Sequence, residues 1–81
     1  MGLSVERLLA QRAACSAAVD AMKKSVWELS YIADKCKHNG DLDGEAYARN
    51  VLKYARLILC DTETDLNILN KEIQAHHARN N

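Results

Sequence analysis

Proline is absent and glycine occurs only three times, so little in this chain of 81 residues interrupts a helix. No apolar stretch approaches the roughly 18 residues that a membrane-crossing helix needs. The first residues carry no apolar signal-peptide core. Met1 and Gly2 open as a myristoylation signal does, but Glu6 stands where Ser or Thr is wanted. A cytoplasmic protein without a membrane partner is therefore expected. Neither sign of charge predominates: 11 basic and 11 acidic residues give a formal net charge of zero. That balance argues against a protein whose main task is to hold a phosphate backbone, although a local patch can still do so. Cys15, Cys36 and Cys60 are odd in number, far apart and free of any CxxC pair. They suggest neither a zinc site nor a disulfide framework, and reduced thiols are expected.

The motifs of catalysis are missing as well. There is no phosphate-binding glycine loop, nucleophile elbow or metalloprotease helix motif. Asp61 and Asp65 share a helix face, but paired acids on an exposed helix ordinarily face solvent. Glu72 and His76 have the i, i+4 spacing to touch one metal ion, yet two ligands do not make a site. His76, His77 and Arg79 instead suit the negative end of a helix dipole. The expectation is a protein that is not an enzyme and has no cofactor or metal.

What is present is a long helical pattern with one break, Lys37-His38-Asn39-Gly40-Asp41-Leu42-Asp43. Lys37 and His38 place positive charge at a helix C-terminus, and Gly40 accepts the left-handed conformation that ends many helices. Asp43 is then the expected cap of the next helix, with Leu42 and Tyr47 at the spacing of a hydrophobic staple. Asn39-x-Asp41-x-Asp43-Gly44 also resembles the first half of an EF-hand calcium loop. The twelfth place falls on Asn50, which cannot supply the bidentate carboxylate, so an ordinary capped turn is the better reading. The boundaries that follow are a helix over about residues 4–38, a turn over 39–43 and a helix over about 44–78, in a single domain over 1–81.

In the first arm Ser4 suits the helix cap, and Leu3 with Leu8 has staple spacing. Two interleaved heptad series run through it. Val5, Arg12, Val19, Val26 and Ala33 hold one core position, and Leu8, Cys15, Met22, Leu29 and Cys36 hold the other. Arg12 is the one charged member. It could mark register, pair with an acid or lie near a fraying end. The second arm carries Ala48, Leu52, Ala55, Leu59, Thr62, Leu66, Leu69, Ile73 and His76 at matching steps. Folding at the turn sets Ala33 against Ala48, Leu29 against Leu52, Val19 against Thr62 and Leu8 against Ile73, large often meeting small. The expected fold is all-α: an antiparallel two-helix hairpin, each arm roughly 50 Å long at about 1.5 Å per residue.

A hairpin alone cannot cover all of the apolar surface. Trp27 and Tyr31 lie off the seam, spaced i, i+4, and Val51, Tyr54, Leu57 and Ile58 lie off it as well. Leu57-Ile58-Leu59-Cys60 is apolar around most of the helix, which marks a segment covered on more than one side. Trp27 and Tyr31 lie level with Tyr54 and Val51 along the hairpin, Leu57 and Ile58 are one turn further, and together these residues make the expected partner-binding patch. Dimerisation into a four-helix bundle is one use for it, and docking on a second protein is another, Trp and Tyr being common anchors. A basic rim of Lys23, Lys24, Lys35, Arg49, Lys53 and Arg56 surrounds the same half. The sequence thus suggests a small homodimeric inhibitor, sequestering factor or adaptor, of the kind phages and other mobile elements direct at host machinery. The alternative is a nucleic-acid-binding regulator that uses the basic rim.

Overall fold

The computed structural model describes residues 4–80 and contains two α-helices, α1 (Val5–His38) and α2 (Leu42–Asn80), folded back on each other. The hairpin is a rod of 60 × 15 × 14 Å. Ser4, extended at φ −65° and ψ 153°, caps α1 by accepting the Arg7 N–H on its Oγ at 3.3 Å. Leu3, the proposed staple partner of Leu8, lies outside the described residues.

The turn is tighter than the sequence suggests. Gly40 has a φ of +74°. Its N–H donates to the Lys37 carbonyl at 3.2 Å, and the Asp41 N–H donates to the Cys36 carbonyl at 2.9 Å. These two bonds are the Schellman pattern that closes a helix on a left-handed glycine. Asp41 immediately caps α2, its Oδ1 accepting the Gly44 N–H at 2.9 Å. One residue thus finishes α1 and starts α2. The cap is Asp41 and not Asp43, which lies inside the first helical turn. A Cβ at Gly44 would collide with the Asp41 carboxylate, so glycine here leaves the cap room to close. Leu42 and Tyr47 remain strongly exposed and form no closed staple. With Asp41 engaged as a cap and Asp43 wound into the helix, the segment is built as a capped turn.

Every heptad position named in both arms is withdrawn from solvent. Leu8, Val19, Ala33, Ala48, Leu52, Ala55 and Ile73 are buried, and the other members of both series are half-buried. Two contacts fix the antiparallel register. The Cys15 Sγ–H donates to the Thr62 carbonyl at 3.4 Å, and the Arg49 guanidinium meets Asp34 at 3.4 Å. Ala33 is the most completely buried residue of the core at 0% exposed. Three of the seven buried residues among those described are alanines, so the core is thin. Arg12 is half-buried beside Leu9, Ala13, Ser16, Leu66 and Asn70, with no acidic partner among the described residues. No helix is long and apolar enough to cross a membrane among the residues described.

Candidate protein-interaction surface

Heptad geometry divides what the seam leaves uncovered. Each residue advances about 100° around its helix, so positions beside the seam fall on one flank of the hairpin or the other. On the first flank lie Lys23 and Ser30 from α1 with Arg49 and Arg56 from α2. Trp27 and Lys53 lie further out on the same side. On the second flank lie Ser25 and Ile32 from α1 with Val51 and Ile58 from α2, and Tyr47, Tyr54 and Ile68 lie further out. Contacts between the helices agree with this division. Arg49 bridges to Asp34 on the first flank, where Leu9, Ser16 and Asn70 also line a shared groove. Gln11, Ile68 and Glu72 line another groove on the second.

The residues that sequence level alone puts in one patch are therefore separated around the rod. Val51, Tyr54 and Ile58 share the second flank, joined there by Ile32 and Tyr47, which the sequence reading did not include. Leu57 lies at the back of α2. Trp27 sits beyond the first flank, and Tyr31 runs along the back of α1. Apart from the half-buried Val51, exposure is high: Trp27 is 68% exposed and Tyr54 60%. Leu57, Ile58 and Cys60 are open to solvent in the single hairpin.

Trp27 and Tyr31 stack nearly parallel, with ring centroids 6.0 Å apart and planes 9° from each other. The i, i+4 spacing brings the rings together, and Lys35 continues the series with its Nζ 5.7 Å from the Tyr31 centroid. The result is a ladder of Trp, Tyr and Lys crossing the back of α1. It presents a flat aromatic surface with a cation at one end.

The basic rim is also divided. Lys23, Arg49, Lys53 and Arg56 belong to the first flank, Lys24 to the back of α1, and Lys35 lies further out on the second flank. Arg49 is held from both sides. Its Nη2 lies 2.9 Å from Glu45 and 3.4 Å from Asp34, and its Nε donates to Glu45 at 3.0 Å. The hydrogen bonds to Glu45 foremost, with its charge and Asp34 adding, push the guanidinium above its ordinary range. Lys24 pairs with Glu28 at 3.9 Å. Lys23, Lys53 and Arg56 have no acidic partner among the described residues.

At the open end, Glu72 and His76 line a shallow groove with Leu8, Gln11 and Leu69. Among the described residues no three His, Cys, Asp or Glu side chains gather as a metal site would need. Cys15 and Cys36 are half-buried free thiols in the seam, and Cys60 is an exposed free thiol. The arrangement offers flat and grooved surface without a gathered catalytic or metal-binding cluster among the described residues. No known protein family, curated protein or solved structure matches the chain.

Proposed function

We propose that this chain is a non-catalytic protein-binding module, a hairpin that pairs with a second copy into a four-helix bundle and acts on another protein as an inhibitor, sequestering factor or adaptor. The observation that carries this reading is the exposed apolar surface: Trp27, Tyr31, Tyr54, Leu57 and Ile58 are each more than half open to solvent. A compact chain of 9.1 kDa would expose about 4,900 Å², whereas this one exposes 6193 Å². The excess, about 1,300 Å² of polar and apolar surface together, comes from the rod shape and is of the order that pairing would bury, roughly 800 Å² per partner.

The second flank suits the second copy. Ile32, Tyr47, Val51, Tyr54 and Ile58 form a stripe on one side of the turn-proximal half, bare of basic residues next to the seam. A two-fold axis would lay one such stripe on another and add a second apolar layer to a thin core. Pairing there leaves the Trp27 flank free for a different protein. Sedimentation over about 1–100 µM tests the pairing, a range matched to micromolar affinity. A dimer is expected, reduced to monomer by Ile58→Glu. A wild-type monomer at the top of that range would overturn this part. Comparing proteins captured from a host lysate by the wild type and by a Trp27→Ala, Tyr31→Ala double variant tests the docking face. Identical capture by both would remove the aromatic ladder from it.

A further inference from the structure

The first flank has a feature that neither stability nor solubility requires. Leu9 and Asn70 line one groove at this edge of the seam. Two heptads nearer the turn, the equivalent positions are Lys23 and Arg56. Positions that flank the seam of paired helices commonly carry opposite charges. Here both are basic, Lys53 stands beside them, and none of the three has an acidic partner among the described residues. Trp27 lies one turn beyond Lys23 on the same side and is largely bare. Bringing like charges to facing positions weakens the hairpin, and no acid among the described residues pairs with Lys23, Lys53 or Arg56 to offset it.

We propose that this flank binds an acidic segment of a partner protein, with carboxylates set between Lys23, Lys53 and Arg56 and an apolar side chain against Trp27. The inference rests on the protein-binding reading above and names the chemistry of the target. Charge complementarity supports it: Lys37 repeats the position of Lys23 two heptads on, about 21 Å away at 1.5 Å per residue, and the one acid of this flank between them on α1, Asp34, is already paired with Arg49. That length matches an acidic helix of about four turns carrying Glu at i, i+4. A nucleic-acid strand fits less well. The flank turns acidic toward the open end, where Asp20 and Glu63 stand, and the neutral chain has no long-range field to draw a polyanion.

Trp27 is the only tryptophan, so its emission reports on the flank directly. The full chain is titrated with an amphipathic Glu-Leu peptide of about 16 residues lacking tryptophan, and separately with a uridine oligomer of equal charge; a span of about four helical turns sets the peptide length. The peptide is expected to shift and saturate Trp27 emission, with affinity falling at least about tenfold in a Lys53→Glu, Arg56→Glu variant. Lys23→Glu is expected to raise Tm by removing the like-charge contact while weakening the peptide by a similar factor, which separates lost binding from lost fold. Unchanged emission up to about 1 mM peptide, the range of negligible affinity, overturns the inference. So does equal affinity in the variants, or tighter binding of the uridine oligomer. A dimer that ignores the peptide sinks this inference alone, and a monomer that binds it sinks only the pairing.

Discussion

Replacing Ala33 by leucine tests the register at its closest point. Ala33 is 0% exposed and Ala48, facing it across the seam, only 4%. Both side chains are a single methyl group, so the helices approach as nearly as the pattern permits. Leucine adds three carbons to a layer with no space for them, and α1 must move outward beside the Schellman turn. Overpacking of this kind costs about 1–3 kcal/mol. For a chain of this size each kcal/mol moves Tm by about 4–8 °C, so a fall of about 4–24 °C follows. Thermal unfolding followed by circular dichroism at one fixed protein concentration measures it. Ala13→Leu, on the exposed side of the same helix, is the control and should stay within about 0.5 kcal/mol of wild type. If Ala33→Leu leaves Tm unchanged or raises it, the layer is open and the register of the hairpin is wrong.

Further outcomes follow from the turn and the seam. Gly40→Ala forces a left-handed backbone on a side chain and should cost about 1–2 kcal/mol in chemical denaturation. Asp41→Ala removes the cap of α2 at about 0.5–2 kcal/mol. Gly44→Ala should fall near zero, because displacing that cap is offset by the roughly 1 kcal/mol that alanine gains over glycine in a helix. Arg12→Leu converts an unpaired half-buried cation in the seam to an apolar filler and should stabilise by about 1 kcal/mol, read as a raised denaturation midpoint. The pKa of Arg49 is raised on folding, so its contribution is complete below the unfolded guanidinium range and lost only in strong alkali. The Tm difference between wild type and Arg49→Gln should therefore stay constant from about pH 6 to 9.

The seam was legible because a heptad repeat is a one-dimensional signal. Val5 through Cys36 on one arm and Ala48 through His76 on the other could be counted without knowing anything else. Ser4 and Gly40 were legible for a similar reason, each having a local chemical role. The cap of α2 was not. Asp41 and Asp43 are both suitable acids, and choosing Asp41 depends on a Schellman closure that makes the same residue serve both helices. The surface was half legible. That Trp27 and Tyr54 lie level along the rod follows from the register alone. That they lie on different sides follows only when the angle around each helix is carried along with the height. Ile32 and Tyr47 were missed on that account, since their importance comes from sharing a side with Val51 and Ile58. What covers those sides leaves no periodic trace in one chain.

The three-residue connection between the helices has a kinetic meaning. Contacts beside it join nearby parts of the chain, Arg49 and Asp34 being 15 apart, whereas Cys15 and Thr62 further along are 47 apart. The entropy lost in closing each successive layer rises only slowly once the preceding one has formed. Assembly should thus start at Gly40 and run toward the two chain ends like a closing zip fastener, and exchange of amide hydrogens should be fastest at the end where the zip closes last.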